Sequence, residues 1–329
     1  MDKKNLRSQL RSVFNWVFWV LLVQFVLINI SAAIYAHKFT HFYNESSVST
    51  PRENENVFQK TWRLFAGQRI AKSAITDVPP FAVDTVRFTT RKDALIDAWY
   101  SKTDSVSKGT VILFHGLTMN KGKIIPEASE FRYQGYNVLM VDFRAHGNSS
   151  GSNTTIGYRE DEEVKLAYDY LVKQGEKHIF LWGSSMGAVA VIKAIADYDL
   201  KPSGIIIEMP FASLQSHLRA RARGIGFAGF PEKPFGFLVS CWVSIERGIN
   251  GVGFNVSSYA KKISCPVLYQ WGAMDHSVLR WETDKVYNAI SSANKELVIY
   301  DQADHESFVQ KDAQKWHAAT SAFLSANNH

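Results

Sequence analysis

The sequence predicts an α/β protein: a mostly parallel central sheet flanked by helices, with a small lid insert late in the sheet and one N-terminal transmembrane helix ahead of it. Three observations predict this. From Gly109 onward, continuous apolar runs (TVILFHG, NVLMVDF, HIFLWGS, GIIIEMP, PVLYQWG and ELVIYD) alternate with helical patterns. Strands buried on both faces read this way, and helices between them imply right-handed crossovers of a parallel sheet. Between the fourth and fifth runs the rhythm breaks, with about 54 residues where a single helix is usual. Finally, residues 13–36 carry no charge.

That N-terminal run of 24 residues reaches about 36 Å as a helix, enough to cross a hydrocarbon core of about 30 Å. Trp16, Trp19 and Tyr35 suit the interfacial zones, and Lys3, Lys4, Arg7 and Arg11 precede the run. The rule that Lys and Arg stay inside then places the N-terminus in the cytoplasm and the following domain on the non-cytoplasmic side of the membrane. A signal peptide cleaved near Ser31-Ala32-Ala33, giving a secreted or periplasmic protein, is the alternative. Residues 1–36 are therefore read as anchor or signal segment, and residues 37–80 as linker with one short basic amphipathic helix. The polar stretch 37–56 has no apolar period. Within 57–72, Trp62, Leu64, Phe65 and Ile70 stand among Lys60, Arg63, Arg69 and Lys72, a pattern for a helix on a membrane surface or against the protein body.

Residues 81–329 are read as one catalytic domain. Residues 83–90 and 94–101 alternate apolar and polar positions around Arg91-Lys92-Asp93, as an antiparallel hairpin does. The insert, at about 215–263, holds a glycine-rich turn (224–230) and an apolar stretch (235–245) read as a helix, either a lid lining an acyl pocket or a helix packed against the body.

Length and composition narrow the function class. A chain of 329 residues accommodates one large α/β domain with a tail. Net charge is +6, but half of it lies in the first eleven residues, which argues against nucleic acid as a partner. Cys241 and Cys265 lack the spacing of a zinc site, so no metal is expected, and their pairing stays open.

The chemistry converges on one serine. Gly183-Ser184-Ser185-Met186-Gly187 follows the strand HIFLW and precedes the helical run AVAVIKAIADY. At a strand-to-helix junction, small flanking residues permit the strained turn that lifts a serine hydroxyl above the sheet, and the helix N-terminus favours developing negative charge. Ser184 fails the one-residue spacing to both glycines. A serine nucleophile needs a base oriented by an acid, and both follow it in chain order. Asp275 lies just beyond PVLYQWG, and His305 just beyond ELVIYD, at strand ends where an open parallel sheet presents its site. Glu208 and Asp304 are rivals for the acid. His115-Gly116 ends the strand VILF, so the backbone N–H groups of Leu117 and Met186 are expected to converge as an oxyanion hole.

The ordered set HGLT, DFRAHGNS, GSSMG, GAMD and ADHES resembles the α/β-hydrolase superfamily, closest to its monoacylglycerol-lipase-like and serine-aminopeptidase-like hydrolases, over roughly residues 81–324. The resemblance implies the α/β-hydrolase fold with Ser185, Asp275 and His305 as triad and Leu117 and Met186 as oxyanion donors. His115, Gly116, Gly183 and Gly187 would be supporting residues. Its relatives usually carry Gly where Ala145 stands, and Asp142, Arg144 and His146 read as a network shaping the site wall. The expected activity is hydrolysis of a carboxylic ester, lipid or other acyl ester, through an acyl-enzyme, with no cofactor. A peptidase, amidase or thioesterase would use the same residues. An acyltransferase and a non-catalytic binding protein are the further alternatives.

Overall fold

Short apolar runs with no polar alternation, spaced by helical patterns, suit strands covered on both faces, and the structure makes strands of all six. The computed structural model describes residues 3–48, 57–224 and 231–328. Strands β5 (Thr110–Phe114), β6 (Asn137–Val141), β7 (Ile179–Ser184), β8 (Gly204–Glu208) and β9 (Val267–Gly272) are buried throughout. The half-buried β10 (Lys295–Tyr300) closes one edge. The hairpin of β3 (Asp84–Thr89) and β4 (Leu95–Ser101) forms the other, in the register Asp84 to Tyr100 through Thr89 to Leu95. The eight-stranded order is β10-β9-β8-β7-β5-β6-β4-β3; β3, β4 and β6 pair antiparallel and every other neighbour parallel. Helices α3 (Ile125–Tyr133), α4 (Asp161–Lys173) and α5 (Met186–Tyr198) supply the first crossovers. Four more, α8 (Val256–Ala260), α9 (Arg280–Ala289), α10 (Phe308–Lys311) and α11 (Ala313–Ala326), lie around the later strands.

The N-terminal helix α1 (Lys3–Thr40) has two unlike parts. Its 38 residues extend about 57 Å, nearly twice a hydrocarbon core. The stretch Gln9–Thr40 is long and apolar enough to cross a membrane, and its apolar side chains from Leu10 to Ile30 are mostly exposed. The last turns behave differently. Ala32, Tyr35, Ala36 and Phe39 fall at i, i+3, i+4 and i+7, one face of a helix, and all four are buried in the main core. Thr40, also buried, accepts from Thr154 N–H at 3.0 Å through its carbonyl and from Arg247 Nε at 2.7 Å through its hydroxyl.

This corrects the expectation of an exposed linker. Residues 37–43 are docked: after α1, strand β1 (Phe42–Tyr43) pairs with β2 (Ile70–Ala71), and Phe42 is buried against His146, while residues 44–47 are exposed as expected. The polar composition of HKFTHFY conceals Phe39 and Phe42, which continue the buried stripe. Residues 49–56 lie outside the described residues. The short helix expected within 57–72 is α2 (Val57–Ala66), which ends before Gly67. It packs beside α1, where Ser31 Oγ donates to Phe65 O, and leaves Phe58, Trp62 and Phe65 exposed.

The insert folds as α6 (Leu214–Gly224) and α7 (Glu232–Arg247); the turn 225–230 lies outside the described residues. Helix α7 spans the apolar stretch, but it bridges α6 to α1 instead of lining a pocket. Phe235 stacks edge-on against Tyr35 at 5.0 Å, and Trp242 Nε1 donates to Asn29 Oδ1 at 3.3 Å. Cys241 and Cys265 are free thiols, and burial pushes the Cys265 thiol up to about 12.

The docking of α1 carries a stability prediction. Phe39→Ala is expected to lower unfolding stability by about 3 kcal/mol, the cost of emptying a buried aromatic site. Phe14→Ala, at a position 70% exposed, should leave it unchanged. Urea unfolding of the full chain in neutral detergent, followed by tryptophan fluorescence, distinguishes the two; equal midpoints for both variants would contradict the docking.

Candidate active site

Ser185 sits between the end of β7 and the first turn of α5 with φ 51° and ψ −113°. For a residue with a Cβ this is a strained conformation, held only where the surroundings over-determine it. They do. Ser185 N–H donates to Glu208 O at 2.8 Å, binding the turn to β8. A Cβ on Gly183 would stand 2.6 Å from Gly187 C, and one on Gly187 only 2.1 Å from Phe114 O. Both glycines are required by backbone approaching backbone. Ser184 remains the last residue of β7, paired with Glu208.

The structure brings Ser185, His305 and Asp275 into one relay. Ser185 Oγ lies 3.0 Å from His305 Nε2, and His305 Nδ1 lies 2.8 Å from Asp275 Oδ2. Asp275 is buried, and its Oδ1 accepts from Ser277 N–H and Val278 N–H, each at 2.7 Å. These bonds aim Oδ2 at the imidazole, so Nδ1 donates the hydrogen of that bond and Nε2 faces the serine hydroxyl as an acceptor.

The rivals for the acid have other work. Asp304 Oδ1 accepts from the backbone N–H groups of His305 at 2.7 Å and His276 at 3.1 Å, bracing the loop. Glu208 Oε1 accepts from Trp316 Nε1 at 2.7 Å, Trp182 Nε1 at 3.0 Å and Gln270 Nε2 at 3.2 Å beneath the sheet end. Burial, and after it the nearby Glu127 carboxyl, push Glu208 up to about 8. Between its ordinary value near 4.5 and about 8 the folded chain keeps a proton that the unfolded chain releases, so Glu208 costs stability as pH rises through that window. Glu208→Gln removes the titration. Its stability relative to wild type should rise by about 3 kcal/mol between pH 5 and pH 8 in urea unfolding; a difference independent of pH would contradict the buried neutral carboxyl.

Leu117 lines the same cavity as Ser185 and Met186 follows the serine as the first residue of α5; among the described residues neither backbone N–H donates to another group. Gly116 brings the first of these loops against Ser185: its pro-Cβ position lies 3.5 Å from Ser185 Cβ. His115 fastens the same loop. Phe143 N–H donates to His115 Nε2 at 3.1 Å, so Nδ1 bears the hydrogen and donates to Gly116 O at 2.7 Å. Burial lowers its pKa to about 4, and that of neighbouring His146 to about 3. Both rings are neutral struts.

Asp142, Arg144 and His146 make polar contacts with one another and with neighbouring loops but do not line the cavity over Ser185, and Lys121, a partner of Asp142, was missed by the sequence reading. Lys121 is fully buried, and its ammonium pairs with both Asp97 and Asp142 beneath the Trp99 ring. Asp142 Oδ1 also accepts from Lys121 N–H at 2.7 Å and Oδ2 from Asn148 N–H at 2.8 Å, while Arg144 pairs with Glu162 and Glu163. Ala145 takes φ 64°, the left-handed conformation glycine adopts freely, at a strain of about 1–2 kcal/mol. The Ala145 N–H donates to Ser150 O at 2.9 Å, which helps hold that conformation.

Over the serine lies a cavity of about 610 Å³, within the usual range for small-molecule sites of about 300–1,000 Å³. Its wall includes Leu117, Ser185, Met209 and His305 from the body, His217 and Arg221 from α6, and Tyr35 and Phe39 from α1. The participation of α1 was not foreseen; the spacing of Ala32, Tyr35, Ala36 and Phe39 was the available signal. Among the described residues no group of three or more His, Cys, Asp or Glu is arranged to hold a metal ion.

Known proteins share this arrangement of strands and elbow. The family described as serine aminopeptidase, S33, matches residues 105–231. The Pyrococcus furiosus esterase Pf2001 superposes with a TM-score of 0.64 at 27% identity, covering 86% of this chain and 98% of that one. The chain belongs to the α/β-hydrolase superfamily. Among curated relatives, this α/β hydrolase is 27% identical to the uncharacterized protein YqkD of Bacillus subtilis (strain 168) over 67% of its length and 72% of YqkD. It is 25% identical to lysophosphatidylserine lipase ABHD12 of Danio rerio over 60% of its length, which spans 51% of that lipase. The proteins it resembles thus include an esterase and a lipase.

Proposed function

We propose that the chain is a membrane-tethered serine hydrolase that cleaves a carboxylic acyl ester through an acyl-enzyme on Ser185. The observation that carries the reading is the continuous relay from Ser185 Oγ to His305 Nε2 at 3.0 Å and from His305 Nδ1 to Asp275 at 2.8 Å, at the floor of the cavity. His305 takes the serine proton as Oγ attacks the acyl carbonyl, and Asp275 stabilises the imidazolium. The oxyanion is received by Leu117 N–H and Met186 N–H, with the positive end of α5 behind them. Collapse of the tetrahedral intermediate breaks the ester C–O bond, and His305 returns the proton to the leaving oxygen. Water, activated by the same histidine, then releases the acid.

An acyl ester with an apolar chain is favoured by the wall of Tyr35, Phe39, Leu117 and Met209 and by the names of the esterase and lipase relatives. Helix α1 supports the tether, with the basic flank holding the N-terminus in the cytoplasm. Ala32 and Ala36 are buried in the body, which favours a retained anchor over a cleaved signal. The match to the serine aminopeptidase family keeps amide hydrolysis as a second reading. Turnover of p-nitrophenyl esters and matched p-nitroanilides of increasing acyl length by the full chain in neutral detergent tests the proposal. Ester hydrolysis with a chain-length optimum is expected; anilide hydrolysis without ester hydrolysis would overturn it.

A further inference from the structure

Two side chains on the cavity wall have no part in the relay. His217 and Arg221 stand one turn apart on α6, on the same face, and both line the cavity. His217 is 8% exposed, held between Phe211 and Phe39 with ring centroids 4.7 and 5.8 Å away, and its buried Nε2 has no partner. An unpartnered buried nitrogen in a ligand cavity is costly unless a ligand satisfies it. Burial, then the Arg221 charge and His305, keep this ring neutral.

Arg221 is open to the cavity, with its guanidinium carbon 5.3 Å from the Phe39 ring centroid. Its helix neighbours Arg219 and Arg223 both reach Glu232, whereas among the described residues no carboxylate pairs with Arg221. The cavity's own acids are committed elsewhere. Glu127 accepts from Ser307 Oγ at 2.6 Å, and burial pushes its carboxyl up to about 7; Glu306 pairs with Lys311 at 3.0 Å. An arginine facing a cavity without a counter-ion is suited to bind an anionic oxygen from a ligand, with geometry that a lysine matches less well.

We infer that His217 and Arg221 form an anion subsite in this cavity, and that the chain selects acyl esters bearing a phosphate or carboxylate head group over neutral esters. The inference rests on the serine-hydrolase reading above and names its substrate class. The apolar wall beside Arg221 comes from the anchor itself, so one cavity offers both surfaces an anionic amphiphile needs. Along α1, Tyr35 and Phe39 follow Ile30, near the end of the exposed apolar stretch, by about 8 and 14 Å. That places the subsite at the depth of lipid head groups.

The test uses the full chain in dodecyl maltoside. Calorimetric titration of Ser185→Ala with dodecyl phosphate should show binding at least about tenfold tighter than that of Ser185→Ala/Arg221→Gln, with Arg221→Lys intermediate. Inorganic phosphate should bind far more weakly; binding as tight as dodecyl phosphate would overturn the amphiphile assignment. In the Ser185 background, Arg221→Gln should lower the kcat/KM ratio of oleoyl-glycerol-3-phosphate to monooleoylglycerol at least about tenfold, mainly through KM. Equal dodecyl phosphate affinity with and without Arg221, or an unaltered ratio, overturns the subsite. Dodecyl phosphate binding that depends on Arg221, in a chain that hydrolyses neither ester, would support the subsite and count against the hydrolase reading.

Discussion

Ser185→Ala is expected to lower kcat on a cleavable ester by about 10,000-fold or more, with little change in KM, because the substitution removes the bond-forming atom and leaves the cavity intact. Asp275→Asn should come close to the same loss. Oδ1 would still accept from Ser277 and Val278, but an amide nitrogen facing His305 favours the wrong imidazole tautomer, an effect worth about 10,000-fold in the best-studied triad. His305→Ala added to Ser185→Ala should cost little more, since the three residues act as one unit. Steady-state kinetics on a p-nitrophenyl ester would measure all three. Retention of more than about one per cent of turnover by Ser185→Ala would mean that the relay is not the chemical centre.

Gly187→Ala is expected to be among the most damaging substitutions outside the relay. The added methyl would lie 2.1 Å from Phe114 O and 2.8 Å from His115 O, and these are backbone atoms of the central strand and its loop. Neither can rotate away, so α5 would have to separate from β5. We expect a loss of about 4 kcal/mol or more in urea unfolding, the range reserved for gross packing conflict, together with loss of the φ 51° turn at Ser185. Gly224→Ala, where an added Cβ meets nothing within 4 Å, should unfold within about 0.5 kcal/mol of wild type. Similar stabilities for the two variants would contradict the close approach of α5 to β5.

Much of the body was legible because burial on both faces leaves an unmistakable pattern. Ile205, Ile206 and Ile207 in succession have no polar face to show, and all three are buried in β8. The elbow was legible because Gly183 and Gly187 are sterically obligatory there. The positions of Asp275 and His305 followed from strand ends, a matter of chain order. What was hidden depended on contacts between distant segments. The sequence reading ended the anchor at Ala36 because charge and polarity begin at His37. Phe39 is nonetheless a core residue, packed against His217, Arg221 and Tyr35, and only its spacing from Ala32, Tyr35 and Ala36 hinted at that. Lys121 drew no notice in the sequence, since nothing local shows that Asp97 and Asp142 meet over it. The apolar helix of the insert was legible as an element but not as a partner of α1, because an apolar face does not announce which surface will cover it.

The most direct test of the proposed chemistry is stoichiometric labelling of the full chain in neutral detergent by a fluorophosphonate, with the modified peptide located by mass spectrometry. One label on Ser185, abolished by His305→Ala while the protein remains folded, is the expected result. A label on Ser184, or one on Ser185 that forms at the same rate without His305, would contradict an activated Ser185 and the hydrolytic mechanism built on it.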